Sequence, residues 1–218
     1  MDQYNELYAD AKLWLNKGWI DYFTPQLYWK INQTAQSFPV LLGWWESENT
    51  EKRHLWPGIN IDFGGDTKNV DETINQIMLT RGMLPDSKGA VHWSIGSLLK
   101  YPNISKGLIE GPYKNEALIP ASPWLNKKSP AAPKTQIISE GGKINIAWEK
   151  ADIQEISNWV VYYKYASSWE YKILSGKETN LDIDKLLIEN GKKIPLLAVG
   201  VTAVGRTGNE SDFKEIKL

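Results

Sequence analysis

Gln26, Tyr28 and Trp29 stand at the end of an apolar run, GWIDYFTPQLYW, over residues 18–29. Asn60 and Asp62 stand at the end of a second, HLWPGINI at 54–61, and Trp93 and Ser94 at the end of a third, GAVHWSI at 89–95. An amide such as Gln26 or Asn60 can both donate to and accept from hydroxyl groups. Tyr and Trp rings offer flat apolar faces with a polar edge, which suits pyranose stacking as well as packing. The chain holds 11 tryptophans and 10 tyrosines among 218 residues, an excess that is suggestive as a set, although any single Trp is better explained as core.

Each of these residues also has a plainer explanation. Gln26 could satisfy backbone groups at a strand end, and Tyr28 could be core. Trp44-Trp45 reads as a packing pair on a helix. Asp21, near the start of its run, fits a capping or salt-bridge role rather than a catalytic one. Asp62-Phe63-Gly64 matches the metal-binding triplet of kinases, but no glycine-rich loop or strand lysine accompanies it, so the match is coincidental. Asn32-Gln33-Thr34, Asn103-Ile104-Ser105 and Asn209-Glu210-Ser211 fit the glycosylation acceptor pattern, which would mean little if the protein is bacterial.

Composition removes several function classes. The chain has no cysteine and only His54 and His92, which rules out thiol chemistry and argues against a zinc site; no metal or cofactor is expected. Lysine and arginine number 25 against 26 acids, with no basic stripe, so no nucleic-acid partner is expected. No segment has the apolar length of a membrane span. The N-terminal MDQYNELYADAK has neither the basic nor the apolar region of a signal peptide, which would then lie upstream.

Elements must position the candidate residues. Leu7, Tyr8, Ala11, Trp14 and Leu15 predict one helix over 5–17, stopped by Gly18. The run 19–29 predicts a strand buried on both faces, as in a parallel sheet covered by helices. A short helix from Ser37 to Glu46, with Ser37 as N-cap, precedes the strand 54–61. Val70, Ile74, Ile77, Met78 and Arg81 predict a helix over 66–81, opened by the turn Gly64-Gly65-Asp66 with Asp66 or Thr67 as cap and ended by Gly82. The third strand is 89–95. On it strand alternation turns His92 away from Trp93 and Ser94. Strands alternating with helices predict parallel βα units. Residues 97–128 read as a helical turn and an extended tether, and the prolines from 120 to 133 mark a linker. Beyond it, β-type runs at 135–138, 143–148, 159–165, 170–174, 179–183, 196–204 and 213–217 predict an antiparallel sandwich of about seven strands.

The second half resembles a fibronectin type III domain, through Pro133, Ile146-Ala147-Trp148, Val160-Val161-Tyr162-Tyr163-Lys164, and the stretch from Ala198 to Arg206 with Gly208-Asn209-Glu210-Ser211. That resemblance implies that Trp148 and Tyr162 are core. The first half, residues 1–125, resembles the last three βα units of the bacterial glycosyl-hydrolase-like family-ten barrels. The carrying residues are Trp19-Ile20-Asp21-Tyr22, Pro25-Gln26-Leu27-Tyr28-Trp29, Trp44-Trp45, Pro57-Gly58-Ile59-Asn60 and Gly89-Ala90-Val91-His92-Trp93-Ser94, then Tyr113, Ala117-Leu118-Ile119-Pro120 and Trp124.

The resemblance implies an α/β plus all-β chain: a partial (β/α)8 barrel over 1–126, a linker at 127–134 and a fibronectin type III-like sandwich over 135–218. It implies a fragment of a glycoside hydrolase acting on a polysaccharide or peptidoglycan-type cell-wall glycan, exported to the periplasm, cell surface or medium. Functional groups of such barrels sit at the C-terminal strand ends, which makes Gln26, Tyr28, Trp29, Asn60, Asp62, Trp93 and Ser94 substrate-binding candidates. Hydrolysis needs two carboxyl groups, and the resemblance puts at least one outside this chain, so no catalytic residue is assigned. The fragment alone is expected to be inactive and to self-associate through an open barrel edge. A non-catalytic carbohydrate-binding or structural protein is the alternative.

Overall fold

A computed structural model describes residues 2–62, 70–86, 88–149 and 156–218. The chain divides into two compact units, Met1–Asn115 and Glu116–Leu218. The turn at Gly64-Gly65-Asp66, the caps at Asp66 and Thr67, and Phe63 and Gly64 of the triplet lie outside the described residues.

The first unit opens with two short helices, α1 (Gln3–Leu7) and α2 (Ala11–Asn16), where one was expected. The break is local chemistry. Tyr8 adopts a left-handed backbone (φ 52°) that ends α1, and the Asp10 carboxylate accepts from the Leu13 amide at 2.9 Å to start α2. Gly18 follows with φ 61°, and the Arg53 guanidinium occupies the space a side chain would need, donating to the Gly18 carbonyl at 2.9 Å.

The expected first strand is shorter and less buried than its composition implied. Only β1 (Tyr22–Phe23) is continuous, with a second point of pairing at Gln26. Pro25 lacks an N–H and interrupts the ladder between them. Trp19 and Tyr22 are exposed, so this edge of the sheet is not covered on both faces. The second strand is likewise divided, into β2 (His54–Leu55) and β3 (Gly58–Asn60), at Trp56-Pro57. The third, β4 (Val91–Trp93), lies beside β3. All pairings are parallel: Tyr22 with His54, Gln26 with Gly58, and Asn60 with Trp93. The three segments therefore stand side by side in chain order, with 54–61 in the middle.

Helices cover one face. They are α3 (Phe38–Glu48), α4 (Val70–Met83), α5 (Ile95–Lys100) and α6 (Pro102–Glu110). Leu27, Phe38, Leu42, Leu55, Ile59, Ile61, Ile77, Ile104 and Leu108 form the core beneath them. Ser37 occupies the N-cap position of α3, but its hydroxyl donates to the Ile31 carbonyl at 2.9 Å instead of capping. The buried stripe of α4 is more polar than expected: Thr73, Gln76 and Thr80 are buried beside Ile77, while Met78 faces solvent. Gln76 earns its place by donating to the Trp29 carbonyl and the Glu72 carboxylate, both at 3.0 Å. Where residues 97–128 were expected to open with a helical turn, two helices form over 95–110, because Pro102 starts a new one.

The second unit has two antiparallel sheets. One contains β5 (Thr135–Glu140), β6 (Lys143–Trp148) and β9 (Asn180–Asp184). The other contains β7 (Ile156–Tyr165), β8 (Ser168–Ser175), β11 (Lys192–Gly205) and β12 (Ile216–Lys217), with β10 (Leu186–Glu189) on the first part of β11. Ile144, Ile146, Trp148, Trp159, Val161, Val199 and Val201 interdigitate between them, giving an antiparallel two-sheet sandwich. The β10–β11 hairpin was not expected. Asn190 and Gly191 both have positive φ, the requirement of a two-residue turn, and it extends β11 back to Lys192. Trp148 is core, but Tyr162 is not: alternation along β7 sends Trp159 and Val161 inward and Tyr162 outward.

The segment after Asn115 belongs to the sandwich rather than to a tether. Ser122 donates its amide to the Thr207 carbonyl at 2.8 Å, and the Asn209 side chain donates to the carbonyls of Asn126 and Lys128. Gly208 (φ 82°) lies so close that a Cβ there would come within 2.9 Å of Ala121.

A candidate glycan-binding face on the parallel sheet

Because the helices cover one face of the sheet, the other face is open, and strand parity decides which side chains reach it. From the first segment these are Tyr22, Thr24, Gln26 and Tyr28; Phe23 and Leu27 point to the helices. From the middle segment they are His54, Trp56, Asn60 and Asp62, and from β4 they are Val91 and Trp93. Asn60 and Trp93 are paired across the ladder, which puts their side chains on the same side.

The C-terminal end of this face holds five of the seven predicted residues. Gln26 is exposed beside Gly58. Tyr28 and Trp93 lie with ring centroids 6.5 Å apart and planes inclined by 29°. Burial pushes the Tyr28 hydroxyl pKa up, so the phenol is neutral and a donor at neutral pH. The Asn60 side-chain oxygen Oδ1 accepts from the Asp62 amide at 3.0 Å, folding the end of the strand into a turn. The Asp62 carboxylate accepts from the buried Ser97 hydroxyl at 3.4 Å. Trp93 is 61% exposed, so its ring is open to a ligand.

The other two stand differently. Trp29 follows the paired region, in a bend, and its carbonyl is taken by Gln76 of α4. Ser94 occupies the N-cap position of α5, with its carbonyl accepting from the Ser97 amide at 3.1 Å; the Trp93–Ser94 peptide is cis. His92 turns away, into a cavity of about 340 Å³ lined by Ile77, Thr80, Ala90 and Tyr113. Its Nε2 meets the Tyr113 hydroxyl at 2.5 Å, and burial holds its pKa below the usual histidine range.

Three further side chains share the open face without having been singled out. Tyr22 stacks on Trp56 at 5.1 Å and 25°, and His54, which is buried, also stacks on Trp56 at 5.1 Å and 11°. Their signal was parity with Gln26 and Asn60, hidden by the break at Trp56-Pro57. Trp44 and Trp45 are a packing pair: they meet edge to face at 4.7 Å, and Trp45 contacts Phe23.

The family model described as glycosyl hydrolase-like 10 matches residues 2–77, which include the first two strand segments and the start of α4. The N-terminal region is similar to that family over these residues. Glycosyl hydrolase YngK of Bacillus subtilis is 36% identical over 150 residues, covering 66% of this chain and 29% of YngK. Glycosyl hydrolase DigH of Escherichia coli K12 is 43% identical over 42 residues, covering 19% of this chain and 10% of DigH. The chain thus spans less than a third of the YngK relative's length. Among solved structures, the fn3 domain of the human collagen alpha-1(XX) chain is similar at 12% identity and TM-score 0.34, over 42% of this chain and 85% of that domain. The Clostridium perfringens spore cortex lytic enzyme SleM is similar at 14% identity and TM-score 0.35, over 100% of this chain and 84% of SleM.

The first unit supplies polar and aromatic groups at its strand ends, and Asp62 supplies a carboxylate. Among the described residues no group of three or more His, Cys, Asp or Glu is arranged to hold a metal ion. No helix among them is long and apolar enough to cross a membrane.

Proposed function

We propose that this chain is part of a glycoside hydrolase acting on a polysaccharide or peptidoglycan-type glycan. Its parallel sheet forms one wall of the sugar cleft, and its sandwich is an accessory domain. The observation that carries the reading is the Tyr28–Trp93 ring pair on one open face with Gln26, Asn60 and Asp62, all at the C-terminal ends of adjacent parallel strands. In this reading the segments are the last three strands of a (β/α)8 barrel, whose functional groups gather at that end. Stacking rings hold a pyranose face, Gln26 and the Tyr28 hydroxyl bond its hydroxyl groups, and Ser94 and Trp29 border the cleft.

Glycoside hydrolysis uses two carboxyl groups about 5–9.5 Å apart. Asp62 offers one, already oriented by Ser97, and its counterpart comes in this reading from a strand that the chain does not contain. The chain by itself then binds sugar without cleaving it, and its parent acts outside the cytoplasm, in the periplasm, at the cell surface or in the medium. The free edges of the parallel sheet also favour self-association, which light scattering would show as a mass above one chain.

Assay of a parent protein of YngK-like length on a polysaccharide panel that includes peptidoglycan tests the reading. Turnover that is lost with Asp62→Asn and weakened in KM with Trp93→Ala is the expected result. Retained binding with no turnover on any glycan would replace the hydrolase reading by a carbohydrate-binding one.

A further inference from the structure

The outer face of the larger sandwich sheet carries an aromatic surface that the core does not require. In the β7–β8 ladder Lys164 stands opposite Trp169, and Tyr162 opposite Tyr171. On the other side of β7, Tyr162 stands opposite Gly200 of β11. Gly200 leaves a depression that the Phe213 ring fills, since a Cβ there would lie 2.4 Å from that ring. Phe213 meets Trp169 edge to face at 5.3 Å and 88°, and Tyr162 at 5.3 Å and 82°. The outcome is a contiguous group in which Trp169 is 36%, Tyr171 39% and Phe213 46% exposed.

Polar groups rim these rings. The Lys164 ammonium lies 5.6 Å from the centre of the Trp169 ring, and the Glu210 carboxylate accepts from the Tyr162 hydroxyl at 2.8 Å and from Thr202. Contiguous exposed aromatic surface on a soluble domain marks an interaction site more often than scattered single rings do. A third polar group is Glu116, whose carbonyl accepts from the Tyr171 hydroxyl and whose carboxylate accepts from the Ile173 amide at 3.3 Å, and one amine against two carboxylates does not suit a polyanion. Ring faces bordered by hydrogen-bonding groups suit a hydroxylated, uncharged chain, which offers C–H faces to the rings and hydroxyls to the rim.

We infer that this surface is a second carbohydrate-binding site, on the sandwich and separate from the open face of the parallel sheet, with a polysaccharide chain as its ligand. The choice of ligand rests on the proposed glycan function of the first unit.

The test is retention of the 218-residue chain on insoluble peptidoglycan, chitin and cellulose. Trp169→Ala and Phe213→Ala are expected to weaken retention at least tenfold on the polysaccharide that holds the unmodified chain. Trp169→Tyr, which keeps a ring, restores it to within about threefold. In the unmodified chain, bound polysaccharide is expected to protect Trp169 from N-bromosuccinimide oxidation, read by mass spectrometry, a measurement that does not depend on a variant folding. Unchanged retention of Trp169→Ala, or full oxidation of Trp169 in the bound state, overturns the inference. Loss of retention only in Trp93→Ala and Tyr28→Ala also overturns it while leaving the cleft reading intact; loss only in the sandwich variants does the reverse. A dimer in sedimentation that Trp169→Ala dissolves makes the surface a contact between copies and overturns the inference as well.

Discussion

Tyr28 and Trp93 reach each other from the two outer segments of the parallel sheet, across the middle one, with ring centroids 6.5 Å apart. Neither ring belongs to the buried core. Trp93→Ala is therefore expected to leave the unfolding midpoint nearly unchanged, within about 0.5 kcal/mol for an exposed position. It should abolish most of the change in tryptophan fluorescence on titration with soluble glycan fragments and weaken that binding at least tenfold. Full retention of the fluorescence response in Trp93→Ala would remove the ring pair from the binding account.

Gln76 is a second position where the direction is firm. Its buried amide supplies the hydrogen bonds of the Trp29 carbonyl and the Glu72 carboxylate, and Glu72 in turn accepts from the Ile31 amide at 2.7 Å. Gln76→Leu keeps the volume but leaves the Trp29 carbonyl without its donor. Urea unfolding should show a loss of about 1–3 kcal/mol. A neutral result would mean that water replaces the amide.

Gly18 and Gly191 separate two costs that are often merged. Both have positive φ, but a Cβ at Gly191 meets open space, whereas at Gly18 it comes within 2.6 Å of the Arg53 guanidinium. Gly191→Ala pays backbone strain alone, about 1 kcal/mol. Gly18→Ala also displaces Arg53 from the Gly18 carbonyl and should cost more, about 2 kcal/mol in all. Equal losses in thermal unfolding would show that Arg53 moves aside freely.

What was legible depended on whether the signal was local. The strand ends at Gln26, Asn60 and Trp93 stood out because a polar or aromatic group closes an apolar run, a contrast visible in the chain itself. Tyr22, His54 and Trp56 did not, because their common face follows from register between segments interrupted at Pro25 and Pro57. The polar stripe Thr73-Gln76-Thr80 escaped for a related reason. Its burial is stabilised by partners such as the Trp29 carbonyl that are distant in sequence, so helical spacing favoured Met78 instead. Tyr162 was assigned to the wrong face by one residue, and in a strand one residue reverses inside and outside.

His92 and Tyr162 give opposite pH signatures. Burial depresses the His92 pKa, so the folded state binds its proton less tightly than the unfolded chain does. Its stabilising contribution is present above about pH 6.5 and is lost as pH falls through the depressed value. His92→Phe should flatten that acid limb of the stability profile. Burial, and then the Glu210 carboxylate, raise the Tyr162 pKa to about 12. That contribution is intact below about pH 10 and fades as pH rises through 12. Tyr162→Phe should remove the late step from an alkaline absorbance titration; persistence of that step would assign it to another tyrosine.

The close approach of Gly208 to Ala121, and the grip of Asn209 on Asn126 and Lys128, bear on how this sandwich can be inherited. Asn209 is almost fully buried, and its acceptors are carbonyls upstream of the first strand. A recombination event that joined a new partner at Thr135 would carry the strands but leave that amide with the Thr207 hydroxyl, at 3.3 Å, in place of the two carbonyls. The cassette that can be moved between genes intact begins near Glu116, whose carbonyl accepts from the Tyr171 hydroxyl at 2.6 Å. Shuffling of this module should therefore leave its breakpoints ahead of the proline-rich stretch.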